Sequence, residues 1–132
     1  MMSKKILLID DEPDVITYLS TVLKSHDYDT HAVDNAAAAM DKVNEIHPDL
    51  ICLDIMMPRE TGISFYTRLK QNRNYKDIPV IIVSGAVQAA EFDIKDFVDD
   101  DTVPPPDCYI EKPIDVDKFI QTVEKYIPQE QP

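Results

Sequence analysis

The chain has 132 residues, 44% of them hydrophobic, and a formal net charge of −12. This length fits one domain with a core that needs neither disulfide nor metal to fold. The acidic balance argues against direct binding to nucleic acid, because phosphate contacts require clustered Lys and Arg. There is no long apolar run, and Lys4 and Lys5 lead into a strand pattern rather than a signal peptide. We therefore expect a cytoplasmic protein.

Buried strands and amphipathic helices alternate along the first half of the chain. Short apolar runs bounded by polar residues predict strands, and apolar residues spaced three and four apart predict helices. The predicted elements are a strand over residues 6–9, a helix over 13–25, a strand over 29–33 and a helix over 36–46. Asp10, Asp11 and Glu12 follow the first strand, and an acid directly before Pro13 suits a helix cap.

The central strand and the loop after it hold the most informative pattern. Leu50 to Leu53 predict a strand buried on both faces, and this strand ends on a single acid, Asp54. Met57 precedes Pro58 and is pushed toward extended geometry, so the loop stays open until Gly62 frees the backbone. An acid at the carboxyl end of a strand lies where open α/β sheets bind ligands. Asp54 is therefore a candidate reactive group, with an ordinary turn residue as the alternative.

The second half continues the alternation around one irregular segment. The predicted elements are a helix that follows Gly62 and ends in the polar stretch 71–77, a strand over 80–83, a helix over 87–98, a strand over 108–110 and a helix over 114–127. Cys52 and Cys108 both fall in predicted buried strands and are interpreted as core thiols. Residues 99–107 are predicted as neither helix nor strand, because three acids repel one another and three prolines favour an extended polyproline segment.

Five alternations of strand and helix predict an α/β fold. Such a pattern is typical of a parallel sheet with helices on both faces and right-handed crossovers. We expect one domain over residues 1–128. Residues 129–132 are interpreted as a tail or as the start of a linker.

Parallel strands bring their carboxyl ends to one edge of a sheet, and four predicted strands end there on functional side chains. These side chains are Asp10 and Asp11, Asp54, Ser84 and Lys112. Each has a simple structural explanation by itself, as a helix cap or a solvated charge. Their joint placement at one edge favours a shared site.

Carboxylates packed at such an edge need a counter-charge. One pair ~4 Å apart repels by about 4 kcal/mol at an effective dielectric near 20. Mg²⁺ prefers oxygen ligands and leaves positions open for phosphate oxygens. The set therefore predicts a phosphoryl-transfer site, in which a metal ion and an ammonium neutralise phosphoryl oxygens while Asp54 attacks in line and becomes an acyl phosphate.

These residues resemble a known family. The motif Asp10-Asp11, then Asp54 with Met57-Pro58 and Gly62, then Ser84-Gly85 and Lys112-Pro113, is similar to the receiver domain of two-component response regulators over nearly the whole chain. The resemblance implies a flavodoxin-like three-layer sandwich, with a five-stranded parallel sheet of order 2-1-3-4-5 and five helices. It implies a phosphoacceptor signalling domain rather than an enzyme, limited to self-phosphorylation from small phosphodonors and self-dephosphorylation.

The resemblance also assigns roles around the phosphoacceptor. Asp54 would receive the phosphoryl group from a histidine kinase or a phosphotransfer protein. Asp10, Asp11 and Asp54 would bind Mg²⁺ together with the backbone carbonyl of Met56. Phosphorylation would then switch a surface that contacts a downstream protein, a fused output domain or a second copy of the chain.

The resemblance also implies roles for residues that respond to phosphorylation. The hydroxyl of Ser84 would reorient toward the phosphoryl group, and Lys112 would pair with it. Tyr109 matches an aromatic position that swings inward on phosphorylation, with a plain core tyrosine as the alternative. The bond between Lys112 and Pro113 matches a peptide bond that is often cis in the family.

The segment 99–107 departs from the family pattern, which has a short turn of small residues there. The surrounding face is the family's usual surface for partners and dimers. We hypothesise that this segment specialises the choice of partner and disfavours the generic dimer. The candidate partner residues are Phe97, Asp99, Asp100, Asp101, Pro104 and Pro105.

Two alternatives belong to other functional classes. A phosphohydrolase of the haloacid dehalogenase kind also uses a strand-end Asp and Mg²⁺, but such enzymes carry a second acid two residues later, where this chain has Met56. A pseudo-receiver scaffold never accepts phosphate and typically lacks one of the acids or the lysine, and none is missing here.

Overall fold

Runs of large apolar residues form the inner strands of one parallel sheet, because both faces of these strands are buried. The structure is a computed structural model that describes residues 3–55, 62–85 and 103–127. The strands are β1 (Lys5–Ile9), β2 (Asp29–Val33), β3 (Leu50–Leu53), β4 (Val80–Ser84) and β5 (Cys108–Glu111). The helices are α1 (Pro13–Ser25), α2 (Ala36–Ile46), α3 (Gly62–Gln71) and α4 (Val116–Tyr126).

The strands run parallel in the order β2-β1-β3-β4-β5. This order confirms the predicted α/β, flavodoxin-like architecture. Ile6 of β1 lies opposite Thr30 of β2 on one side and Leu50 of β3 on the other. The chain therefore adds strands first to one side of β1 and then to the other. Ligands of open parallel sheets bind outside the strand ends at such a reversal.

Alternation along the inner strands divides the core into two apolar layers. One layer joins the sheet to α2 and α3, and it includes Leu7, Ile9, Ile51, Leu53, Val43 and Phe65. The other joins the sheet to α1 and α4, and it includes Ile6, Leu8, Leu50, Cys52, Leu23 and Phe119. The helices thus cover both faces, as the three-layer prediction requires.

Two expectations need correction, and one lies outside the described residues. Cys108 is only partly buried, because β5 is an edge strand with a neighbour on one side. The last helix begins at Val116 rather than at residue 114, since Asp115 caps it by accepting the N–H of Lys118 at 3.2 Å. The predicted helix over 87–98 is not among the described residues. None of the described helices is long and apolar enough to cross a membrane.

The residues just before β5 are fastened to the core, although they form neither helix nor strand. Val103 is fully buried in the apolar layer of α2 and α3. The hydroxyl of Tyr66 donates a hydrogen bond to the carbonyl oxygen of Pro104 at 2.6 Å. Pro104 and Pro105 themselves are exposed. This end of the proline segment is thus held in place while two of its prolines face solvent.

Gly62 allows α3 to begin directly against the backbone that carries Asp54. Its N–H donates to the carbonyl oxygen of Ile55 at 3.2 Å. A Cβ at this position would lie 2.5 Å from the backbone oxygen of Asp54 and 2.7 Å from Cα of Ile55. Backbone atoms cannot rotate away as a side chain can, so only glycine fits here without displacing the chain around Asp54.

We expect Gly62→Ala to destabilise the protein by about 1–3 kcal/mol, because the added methyl group must push two backbone segments apart. Urea unfolding followed by circular dichroism measures this loss. Gly85→Ala is the matched comparison, since its Cβ would lie 3.3 Å from the Cβ of Lys112, a contact that a shift of a few tenths of an ångström relieves. Equal stability of Gly62→Ala and the wild type would contradict the steric explanation.

Candidate functional site

Strand ends bring three charged side chains together at the carboxyl edge of the sheet. Asp10 follows β1, Asp54 follows β3 and Lys112 follows β5. The backbone fixes the first two: the N–H of Asp54 donates to Ile9 at 2.8 Å, and the N–H of Asp10 donates to Val33 at 3.2 Å. These bonds extend the sheet by one residue on each strand and aim both carboxylates at the same space.

The ammonium of Lys112 is the centre of this space. Its Nζ lies 2.9 Å from Oδ2 of Asp10, 2.8 Å from Oε1 of Glu12 and 3.4 Å from Oδ2 of Asp54. Asp10 and Asp54 are 5% and 3% exposed. One cation therefore serves two buried carboxylates and one exposed carboxylate. The peptide bond between Lys112 and Pro113 is cis, as the resemblance implied.

Four acids lie close together at this edge of the sheet. Ligand oxygens of Asp10, Asp11, Glu12 and Asp54 all lie within 4.8 Å of one another. Hard oxygen donors at this density fit a divalent cation that takes oxygen ligands, such as Mg²⁺. The four carry a formal charge of −4 and the Lys112 ammonium contributes +1, so within the described part of the chain the donor set is also electrostatically suited to a dication.

The shifts in pKa follow from burial and charge. Burial raises the pKa of Asp10, and the charge of Asp54 adds to this rise, although hydrogen bonds from the Glu12 N–H and from Lys112 oppose it. Burial by itself lowers the pKa of Lys112, but its hydrogen bonds to Glu12 and Asp10 and the charges of Asp10 and Asp54 outweigh that effect and raise it. Lys112 is thus held firmly protonated.

Of the other predicted site residues, the structure describes Tyr109 and the backbone of Ser84. Ser84 is the last residue of β4, and its backbone lies opposite Glu111. Tyr109 lies in β5, partly buried and packed against the apolar layer of α2 and α3. The structure does not describe the backbone carbonyl of Met56, the side chain of Ser84 or the partner residues Phe97 and Asp99 to Asp101.

Glu12 is the residue whose place in the site was missed from the sequence. It occupies the N-cap position of α1, as expected for the acid before Pro13, but its side chain makes no capping hydrogen bond. Its carboxylate instead pairs with Lys112, 100 positions away. The sequence signal for this role was that Glu12 is the third consecutive acid after a strand. Helix-cap chemistry explained that acid equally well, so only the tertiary contact decides.

Comparison with known proteins identifies the family. The model for the response regulator receiver domain matches residues 6–124. The chain belongs to the response regulator receiver family. The polar-differentiation response regulator DivK of Brucella ovis is 30% identical over 128 residues, which cover 96% of this chain and 98% of the relative. The same protein of Brucella anthropi is also 30% identical.

Solved receiver structures superpose over almost the whole chain. A putative response regulator from Chloroflexus aurantiacus has a TM-score of 0.82 at 19% identity, covering 97% of this chain and 100% of its own. TrrA of Thermotoga maritima, solved in complex with Mg²⁺-BeF, has a TM-score of 0.76 at 26% identity, covering 94% and 99%. The receiver fold thus extends over nearly all of this chain, and the family assignment agrees with the geometry of the strand ends.

The electrostatics of the receiver site lead to a prediction for Lys112→Met. Without divalent cations this variant should lose about 2 kcal/mol of unfolding free energy, because Asp10 and Asp54 lose their buried counter-ion. Adding MgCl₂ should recover more stability in the variant than in the wild type, since a bound ion stabilises the folded state. Urea unfolding in EDTA and in MgCl₂ measures both effects.

Lys118→Met, which removes an exposed lysine from α4, is the control and should leave the unfolding free energy within about 0.5 kcal/mol. Equal stabilities of Lys112→Met and the wild type in EDTA would show that the ammonium does not balance the acids.

Proposed function

We propose that this receiver works in a two-component phosphorelay and accepts a phosphoryl group on Asp54 from a histidine kinase or a phosphotransfer protein. The observation that carries the proposal is the buried Asp54 carboxylate, which shares the Lys112 ammonium with Asp10 at the carboxyl edge of the sheet. The domain would span residues 1–128, with 129–132 as a tail or the start of a linker. A cytoplasmic location is part of the proposal.

Mg²⁺ is the proposed cofactor, held by Asp10, Asp11, Asp54 and the backbone carbonyl of Met56. The support is the cluster of acidic oxygens within 4.8 Å, together with the TrrA relative solved with Mg²⁺-BeF. When bound, the metal supplies charge neutralisation for the oxygens of the transferring phosphoryl group. The remaining contributions come from side chains of the chain itself.

Asp54 would act as the nucleophile in an in-line transfer. One carboxylate oxygen forms a bond to phosphorus while the bond from phosphorus to the donor breaks, and the donor leaves with that electron pair. The donor atom is a histidine nitrogen of the kinase or, for acetyl phosphate, the bridging oxygen of acetate. The protonated Lys112 ammonium, held beside Asp54, is positioned to neutralise charge on the phosphoryl oxygens.

The acyl phosphate would then act as a switch. It places new negative charge at the edge where Lys112 and the ends of β4 and β5 meet. We assign Ser84 the role of a hydroxyl that moves toward the phosphoryl group and Tyr109 the role of an aromatic switch. Such changes bias a two-state equilibrium of the surrounding surface. Phosphorylation would thus alter an interaction surface, so we assign the protein as a signalling domain rather than an enzyme.

The first test uses intact mass after incubation with Mg²⁺ and acetyl phosphate. The wild type should gain one phosphoryl group and Asp54→Asn should gain none, because the amide cannot replace the nucleophilic carboxylate. Asp41→Asn, which alters an exposed acid of α2, is the control and should be phosphorylated like the wild type.

A phosphoryl adduct that persists in Asp54→Asn would contradict the proposed acceptor. No adduct on the wild type, even with its histidine kinase, combined with stabilisation by Mg²⁺, would instead favour the pseudo-receiver. Turnover of a simple phosphomonoester would favour the phosphohydrolase of the haloacid dehalogenase kind.

We further propose that the face around residues 97–105 binds the downstream partner and that its acids oppose self-association. Pro104 and Pro105 are exposed beside the buried Val103, which presents this part of the face on an anchored segment. A symmetric dimer through this face would bring two copies of the acids Asp99, Asp100 and Asp101 to one interface. Like charges placed together across an interface cost binding free energy.

Replacing Asp99, Asp100 and Asp101 by Asn should therefore strengthen dimerisation of the protein activated with Mg²⁺ and beryllofluoride. Sedimentation velocity measures the monomer–dimer equilibrium. The matched control neutralises three exposed acids elsewhere, Asp14, Asp27 and Asp41, and should leave dimerisation unchanged. An unchanged equilibrium in the first variant, or an equal gain in the control, would contradict the proposed repulsion.

A further inference from the structure

The side chain of Glu12 pairs with Lys112 instead of capping α1. Its side chain is 58% exposed, whereas that of Lys112 is only 14% exposed. The pair is the shortest of the three contacts of the ammonium, at 2.8 Å. A backbone hydrogen bond fixes the position of the glutamate, because the N–H of Glu12 donates to Oδ1 of Asp10 at 2.9 Å. The same carboxylate of Asp10 thereby directs its other oxygen to Lys112.

The proposed function, on which this inference rests, creates a conflict for Lys112. In the structure its ammonium forms ion pairs with the carboxylates of Asp10 and Asp54. A dication bound to the same carboxylates would repel the ammonium, so Lys112 must give up part of these contacts. Yet Lys112 must stay within reach of Asp54, where the phosphoryl group arrives.

Two different clefts lie beside the site, one lined by the acids proposed to bind the metal and one lined by Lys112 and Glu12. Asp10 and Asp11 line one cleft of about 510 Å³, together with residues of α1, β2 and α2. Glu12 and Lys112 line a different cleft of about 590 Å³, together with Tyr18 and Pro113. Glu12 therefore lines the same cleft as the lysine, although its carboxylate oxygen lies within 4.8 Å of those of Asp10 and Asp11, which line the other. There is room on that side for Lys112 to shift without leaving the site.

We propose that Glu12 is a positioning residue, which retains the ammonium of Lys112 at the edge of the site when Asp10 and Asp54 bind Mg²⁺. Without the metal, Lys112 has three carboxylate partners and can lose one at little cost. With the metal, Glu12 becomes its principal partner. Removing the Glu12 charge therefore costs more in the metal-bound protein than in the metal-free one. That difference appears as weaker binding of Mg²⁺.

Isothermal titration of MgCl₂ into four proteins tests this inference: wild type, Glu12→Gln, Lys112→Met and the double variant. We expect Glu12→Gln to raise the Kd for Mg²⁺ about fivefold, the factor that a partly exposed ion pair supplies. In the Lys112→Met background the same substitution should change the Kd by less than about twofold, since the partner of Glu12 is gone.

Two further variants distinguish the positioning of Lys112 by Glu12 from the general effect of removing one negative charge near the site. Asp14→Asn removes the same formal charge as Glu12→Gln. Asp14 lies in the first turn of α1, lines the same cleft and pairs with no cation in the described part of the chain. Its substitution should change the Kd by less than about twofold. Glu12→Asp keeps the charge and should recover part of the affinity lost in Glu12→Gln.

The inference is overturned if Glu12→Gln leaves the Kd unchanged. It is also overturned if the substitution weakens binding as much or more in the Lys112→Met background, because Glu12 would then act on the metal directly. Failure of the proposed function is a separate outcome: the wild type would neither bind Mg²⁺ nor form an adduct on Asp54. A wild type that does both, with Glu12→Gln indistinguishable from it, rejects only the role of Glu12.

Discussion

The mutual repulsion of carboxylates at one edge of the sheet is the constraint on which the rest of this structure depends. Asp10 and Asp54 are almost fully buried, and an unpaired charge in that position would be costly. Lys112 resolves the conflict with one ammonium that contacts both. The balance is incomplete, since Asp11 and Glu12 add two more acids within 4.8 Å. This density of acidic oxygens is electrostatically suited to a dication, as the proposed function requires.

The surrounding fold serves to place these charges accurately. The inner strands are apolar on both faces and are held between two layers of helix, so their ends cannot shift independently. Gly62 brings α3 against the backbone of Asp54, and the sheet hydrogen bonds of Asp10 and Asp54 continue past the strand ends. The buried Val103 and the hydrogen bond from Tyr66 to Pro104 hold the end of the proline segment that leads into β5. The site and residues 103–105, the described part of the proposed partner face, are thus attached to the same core.

Much of the fold could be predicted because its signals are local. The boundaries of α1, β2, α2 and β3 agree with the predictions, since each is set by an apolar pattern and by a nearby proline, asparagine or polar turn. The strand order came from the family resemblance, because periodicity does not say which strands are neighbours. The degree of burial of Cys108 and the first residue of α4 were less predictable, as they depend on the sheet edge and on a cap.

The sequence by itself determined which chemistry is available: acids, a hydroxyl and a lysine at the carboxyl ends of parallel strands, in the order typical of receivers. Topology alone brings such groups to one edge, so their proximity required no coordinates. Only the tertiary structure decided how one ammonium is divided among Asp10, Asp54 and Glu12. An ion pair between residues 12 and 112 depends on side-chain reach across two strand ends. No pattern along the chain records that distance.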